Sequence, residues 1–168
     1  IFQNIIKKFK TIDVVVFFTG IHDPESEKKL SSEKIREIME TNFFGTVNCI
    51  MAVSEFFKER KSGHISIVSS VAGYRGLPAA SGYCASKAAL ISLAESLYFN
   101  FKRHGVRVSV INPGFIKTPM TDKNKFPMPM IKSAEYAAEK MFIGLTKKNA
   151  FEIHFPLGIT ILMKLLKI

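Results

Sequence analysis

An α/β fold with a doubly wound parallel sheet is the architecture this sequence predicts, on three observations. Short apolar runs rich in β-branched residues recur along the chain: "IDVVVFFTG" from Ile12, "HISIVSS" from His64, "VRVSVIN" from Val106 and "AFEIHF" from Ala150. Such runs suit strands buried on both faces, as in parallel sheets. Long segments with helical periodicity separate them, and strand alternating with helix reads as a parallel sheet. The first three runs end in small or turn-forming residues, Thr19-Gly20, Ser69-Ser70 and Asn112-Pro113-Gly114. In doubly wound sheets, ligands bind beyond such carboxyl ends.

Each element follows in order. The first strand, Ile12 to Phe18, is apolar enough to want a neighbour on each side, and the chain offers one sure partner. A polar connection, "IHDPESEKKL", leads to Ser31 and Ser32, which open a long helix with Glu33 and Glu37 near its start. Ile35, Ile38, Met39, Phe43, Val47, Ile50, Met51 and Phe57 recur along it at helical spacing. Gly63 precedes the second strand. The loop "VAGYRGLPAA" leads to a second long helix that ends near Arg103 and is stopped by Gly105. After the third strand and "NPGFIKTPM", the stretch "TDKNKFPMPM" reads as a mobile loop. A third helix is expected over 133–147 with Ser133 as its cap, and "AFEIHF" is the fourth strand. The tail, 157–168, is apolar with two lysines.

The 168 residues suggest one domain with room for a core, and 47% hydrophobic content excludes a disordered chain. No apolar run is long enough to cross a bilayer. Cys49 and Cys84 are too few for a disulfide framework and read as packing residues in a reducing, cytoplasmic compartment. No metal is expected. The net charge of +10 raises the question of nucleic acid. Yet Lys58, Arg60, Lys61, Lys102, Arg103, Lys147 and Lys148 sit at expected helix ends, where they complement the helix dipole, so no nucleic-acid partner is expected. The first residue is Ile1, not Met, so the sequence reads as part of a longer chain.

The stretch "SGYCASKAAL" places Tyr83 and Lys87 four residues apart at the start of a helix, on one face. Both lie on the side of the sheet where Ser70 ends the second strand, so the three can converge. A free tyrosine has a pKa of about 10 and is a poor base at neutral pH. Lowering it to about 7 requires roughly 4 kcal/mol. An ammonium about 4 Å away supplies roughly that much at an effective dielectric near 20, but only about 1 in open water. Lys87 is therefore a lever only in a shielded pocket. Ser70 would hold a substrate oxygen while Tyr83 exchanges its proton. None of these side chains carries a hydride, so a nicotinamide cofactor, NAD(P)(H), is implied. Taken alone, the pair also fits a surface tyrosine beside a solvated lysine.

The ordered set "TNFFGT", "SIVSSVAG", "SGYCASKAAL" and "NPGFIKTPM" resembles the short-chain dehydrogenase/reductase family, over nearly the whole chain. The resemblance implies a Rossmann-type domain, here its C-terminal portion only. It implies an oxidoreductase that interconverts an alcohol and a ketone or aldehyde with NAD(P)(H). By that resemblance Tyr83 is the acid/base, Lys87 lowers its pKa and binds the nicotinamide ribose, and Ser70 orients substrate. Asn42 holds a water that links the lysine to solvent. Pro113 and Gly114 shape the turn near the nicotinamide, Ile116 and Thr118 bind its carboxamide, and Gly20 keeps backbone access to the cofactor. The loop 119–132 corresponds to a substrate lid, and Phe126, Met128 and Met130 suggest an apolar substrate face. A homodimer or homotetramer through the two long helices is implied. The tail resembles those of members that act on apolar substrates; it is expected to pack on its own domain or a second subunit, with a peripheral membrane contact as the alternative.

Two departures stand out. The glycine-rich phosphate turn of the family is absent, as is the position that separates NAD from NADP, so residues 1–168 alone are expected to be inactive. "FFTG", Phe17 to Gly20, replaces two asparagines, an alanine and a glycine, so amides that would cross-link neighbouring strands are lost. Two other readings stay open: a non-catalytic binding or regulatory member of the family, and a basic protein that acts at a membrane surface through its tail.

Overall fold

The computed structural model describes residues 1–147 and 149–166. Four parallel strands, β1 (Val14–Phe17), β2 (Gly63–Val68), β3 (Val106–Pro113) and β4 (Glu152–Phe155), form one sheet in the order β1-β2-β3-β4. The helices are α1 (Phe2–Phe9), α2 (Ser32–Met39), α3 (Gly45–Arg60), α4 (Ser81–Lys102), α5 (Ala134–Thr146) and α6 (Leu157–Leu165). This is the α/β parallel architecture that the apolar runs predict.

Alternation along the strands divides the core. Ile65, Ile67, Val108 and Val110 point to one face, where Ile50, Val53 and Phe57 of α3 and Leu90 and Ala94 of α4 cover them. Val68, Ile111, Ile153 and Phe155 point to the other face, against Ala137 of α5. Burying each large aliphatic side chain contributes about 1.5–3 kcal/mol, which fixes both layers on the sheet. The second face also carries a polar strip. His64 Nε2 lies 2.8 Å from Ser109 Oγ, which donates to Ser66 Oγ at 3.0 Å. All three side chains are buried, and burial together with the nearby Arg107 pushes the His64 pKa down to about 4.

Ser31 caps α2 by accepting from Lys34 N, and Ser133 caps α5 by accepting from Tyr136 N, as the sequence predicts. The first long helix is not one continuous α-helix. A π-turn, Glu40–Phe44, joins α2 to α3. The cause lies in the spacing: Ile38, Asn42, Thr46 and Ile50 are all buried and four residues apart. In an α-helix each step of four drifts by about 40°, and a wider turn absorbs that drift.

The first strand has the one partner the sequence offers, one helix is new, and one reading needs correction. β1 pairs with β2 alone among the described residues, leaving Val14 and Phe18 at 42% and 62% exposure. Residues 2–9 form the unexpected helix α1, anchored by an edge-to-face contact of Phe2 with Phe56. Cys49 is exposed rather than packed, whereas Cys84 is buried. The apolar tail forms α6, whose Ile159 and Met163 pack on Val71, Tyr74 and Leu77. Lys148 and the last two tail residues lie outside the described residues.

Candidate functional site

The carboxyl ends of the strands carry the chemistry. Ser69 and Ser70 follow β2 directly. Ser69 Oγ donates to Lys87 O at 2.7 Å, tying the strand end to α4. Ser70 caps a short 3₁₀ turn, Val71–Gly73, by accepting from Ala72 N at 3.1 Å. That turn touches α4 closely: a Cβ on Gly73 would sit 2.9 Å from the backbone carbonyl of Lys87, so only glycine fits.

Tyr83 and Lys87 rise from the first turns of α4. Lys87 is 4% exposed, and its Nζ donates to Val68 O at 3.1 Å. Burial lowers its pKa to about 8. The ammonium lies 5.7 Å from the centroid of the Tyr83 ring. Burial also raises the Tyr83 phenol to about 12, and the nearby Ser70 hydroxyl works in the opposite direction. The structure thus brings Ser70, Tyr83 and Lys87 together. It does not lower the phenol pKa as expected, because burial of the ring outweighs a lysine that is itself desolvated and bonded to a carbonyl.

Asn42 is fully buried in the π-turn. Its Nδ2 donates to Ile21 O and to Ser86 Oγ, each at 3.0 Å, and its Oδ1 accepts from Ile21 N at 2.7 Å. Both amide hydrogens are occupied by protein atoms. The side chain therefore clamps the segment after β1 to α4, and the expected water relay has no free side-chain N–H to use.

A cavity of about 560 Å³ opens beside these groups. Ser70, Tyr83, Gly114 and Phe126 line it, with Ile159 and Met163 of α6 on one wall. Met128 does not; its sulfur accepts from Asn124 Nδ2 instead. Gly20, Asn42, Lys87, Pro113, Ile116 and Thr118 are also outside that lining. Gly114 also has a packing part. A Cβ there would meet Ile159 Cγ2 at 2.7 Å, so its small size serves the docking of α6.

The residues present fit a nicotinamide nucleotide on three observations. Lys87 has one protein acceptor for its three N–H groups among the described residues. Gly20 presents bare backbone to that amine, where an added Cβ would lie 3.2 Å from Nζ. Thr118 Oγ1 has only a long contact, 3.4 Å to Thr121 Oγ1, leaving it available. The Ile116 carbonyl, in contrast, already accepts from Thr121 Oγ1 at 2.7 Å.

Two residues escape a reading of the sequence. Glu27 is buried, and its Oε2 accepts from Gly82 N at 2.7 Å and Tyr83 N at 3.3 Å. It thereby serves as the N-terminal cap that Ala80 cannot provide to α4. Its Oε1 lies 3.0 Å from His22 Nδ1, and the His22 ring packs against the Tyr83 ring at 4.4 Å between centroids. The one signal in the sequence is that His22 falls two residues beyond Gly20, at a strand end.

A parallel α/β sheet carries a serine, a tyrosine and a lysine gathered at its carboxyl edge. The family model "short chain dehydrogenase" matches residues 1–126, and the chain belongs to that family. It is 38% identical over 157 residues to an uncharacterized oxidoreductase of Myxococcus xanthus, covering 94% of this chain and 62% of that protein. It is 34% identical over 119 residues to the 3-oxoacyl-[acyl-carrier-protein] reductase of Chlamydia trachomatis, covering 71% of this chain and 48% of that one. Among solved structures, a short chain dehydrogenase from Burkholderia cenocepacia in complex with NADP superposes with a TM-score of 0.81 at 27% identity. That match covers 97% of this chain and 67% of the other. The chain spans less than two thirds of the length of these curated relatives. Among the described residues, no helix is long and apolar enough to cross a membrane.

Proposed function

We propose that the protein is an NAD(P)-dependent oxidoreductase that interconverts an alcohol and a ketone or aldehyde, with Tyr83 as acid/base. The observation that carries this reading is the meeting of Ser70 and Tyr83 at the wall of one cavity, with Lys87 buried behind them. The NADP bound in the Burkholderia relative supports the cofactor class. The bound nicotinamide supplies or accepts the hydride at the substrate carbon. Ser70 hydrogen-bonds the substrate oxygen, and Tyr83 gives its proton to that oxygen in reduction or takes it in oxidation. Lys87 binds the ribose and biases the phenol. Gly20 and Thr118 are the other residues offered to the cofactor, and Pro113 and Ile116 carry the backbone turn beside them.

An apolar substrate is favoured, because Leu77, Phe115, Met120, Phe126 and Met163 dominate the cavity. A second copy of the chain is the partner proposed for α3 and α4, where Met51 and Phe99 are exposed. The outer face of α6, with Leu157, Ile161 and Leu165 exposed, is the surface proposed for a peripheral membrane contact. The two free thiols support a cytoplasmic setting. A non-catalytic, binding-only member of the family is the second reading; the raised Tyr83 pKa favours it.

Reduced-nicotinamide absorbance, followed with the whole polypeptide and a panel of apolar ketones and alcohols, separates the two. Turnover that Tyr83→Phe abolishes, with cofactor binding retained, supports the enzyme. Absence of turnover across the panel, or full activity in Tyr83→Phe, overturns the acid/base reading.

A further inference from the structure

We propose that His22, held by Glu27, sets the substrate preference of this pocket: it presents a hydrogen-bond acceptor beside Tyr83 and selects carbonyl compounds with a hydroxyl or N–H donor close to the reacting carbon. This rests on the oxidoreductase reading and adds a substrate class to it.

The geometry begins with Glu27. Both of its oxygens are committed inside the protein, one to the backbone N–H groups of Gly82 and Tyr83 and the other to His22 Nδ1. A carboxylate oxygen accepts and never donates, so Nδ1 carries the proton of the imidazole. In a neutral ring the other nitrogen, Nε2, is then an acceptor. Nε2 has no protein partner among the described residues, and it is not one of the sealed, unpartnered polar atoms. The ring lines the cavity together with Ser70 and Tyr83.

The placement says where a substrate donor must lie. The His22 and Tyr83 rings pack at 4.4 Å with a 31° tilt, and both residues line the same cavity. Ser70 and Tyr83 are taken by the reacting oxygen. A donor for Nε2 therefore belongs within a few bonds of the carbon that oxygen is on. The rest of the wall is mainly apolar, with Leu77, Pro78, Phe115 and Phe126; Asn124 also lines it, and its Oδ1 is a second acceptor without a protein partner, so the variants of His22 and Glu27 tell the two acceptors apart. Glu27 is a positioning residue in this scheme: it fixes the tautomer of His22 through the same carboxylate that caps the helix carrying Tyr83.

The test uses the whole polypeptide with reduced nicotinamide cofactor at about pH 8.5, so that a neutral imidazole is the form compared. The paired probes are α-hydroxyacetophenone and its methyl ether. A neutral hydrogen bond corresponds to about a threefold to tenfold preference in kcat/KM for the hydroxy ketone. His22→Phe keeps an aromatic ring against Tyr83 and removes Nε2, so the ratio falls to near one. Glu27→Gln keeps an oxygen for the two N–H groups and turns its amide N–H toward Nδ1. That forces the opposite tautomer, makes Nε2 a donor, and abolishes or reverses the preference.

A wild-type ratio near one, or a preference retained in His22→Phe, overturns the proposal. If His22→Phe does not fold, Glu27→Gln decides alone, and an unchanged preference there is the overturning result. If neither ketone is turned over, the oxidoreductase reading fails instead. Isothermal calorimetry with the same two ketones then tests His22 independently: a threefold to tenfold ratio of dissociation constants that His22→Phe removes supports it, and equal binding overturns it.

Discussion

Replacing Asn42 by alanine tests the clamp at the heart of the site. The amide makes three hydrogen bonds, two to the backbone of Ile21 and one to Ser86 Oγ, at 2.7–3.0 Å, and it is fully buried. Alanine leaves the Ile21 N–H and C=O without their partner. Each orphaned buried polar group costs about 1–3 kcal/mol. Ile21 is half-buried, so water recovers part of that, and the lower half of the range applies. The expected loss is about 2–4 kcal/mol, a large share of the roughly 5–15 kcal/mol that holds a domain together. Urea denaturation of the wild type and Asn42→Ala measures it directly. Ser86→Ala removes one of the three bonds and should cost about 1 kcal/mol, and the double variant should fall short of the sum because the pair interacts. A loss below about 1 kcal/mol in Asn42→Ala, or strict additivity with Ser86→Ala, would refute the clamp.

Lys87→Met should stabilise the protein while destroying turnover. The Lys87 pKa falls from 10.5 to about 8 on folding, so the unfolded chain binds more protons between those values and stability rises with pH across that window. At pH 7 the buried charge therefore costs up to about 3 kcal/mol, and after loss of the bond to Val68 O the gain should be about 2 kcal/mol by urea denaturation. His64 works in acid: its folded pKa of about 4 lies below the usual 6.5, so stability is full above pH 6.5 and is lost as pH falls toward 4. The loss should reach about 3 kcal/mol at most and should flatten in His64→Gln, as read from denaturation midpoints at pH 7 and pH 5. Gly73→Ala forces α4 away from the turn after Ser70, since its Cβ would meet Lys87 backbone at 2.9 Å; about 2 kcal/mol and most of the turnover should go.

The central strands β2 and β3 were legible because they are buried on both faces and so read as runs rich in β-branched residues. The convergence of Ser70, Tyr83 and Lys87 was legible because it needs only a strand end and one helical turn. What the sequence hid depends on contacts between distant segments. Glu27 caps a helix that begins 54 residues later, so no local capping pattern shows it. The role of Gly114 could not be read from "NPG", because the atom that excludes a larger residue belongs to Ile159 in α6. The π-turn left a trace, the repeated spacing of four from Ile38 to Ile50, but Asn42 within it looks like a polar interruption until its partners are seen. The helix α1 carries Phe2, Ile5, Ile6 and Phe9 at amphipathic spacing, but over eight residues that pattern is too short to stand out.

The same burial that holds Tyr83 and Lys87 in place sets the direction in which the proposed reaction runs most easily. Desolvation favours the neutral form of each group, with the phenol near 12 and the amine near 8. Moving a proton from phenol to amine in the resting pocket therefore costs about 5 kcal/mol. For Tyr83 to serve as a base near pH 7, its pKa must fall by some five units, about 7 kcal/mol. A charged Lys87 at 5.7 Å from the ring supplies about 3 at an effective dielectric of 20. The remaining 4 or so would have to come from a second positive charge, which an oxidised nicotinamide would supply when bound. Ketone reduction has no such requirement, because it starts from the protonated phenol that burial already favours. The rate of reduction should therefore stay flat from about pH 6 to 9, while alcohol oxidation climbs about tenfold per pH unit in the lower part of that range. A reduction rate that collapses above pH 7 would mean that the phenol ionises far more readily than its burial allows.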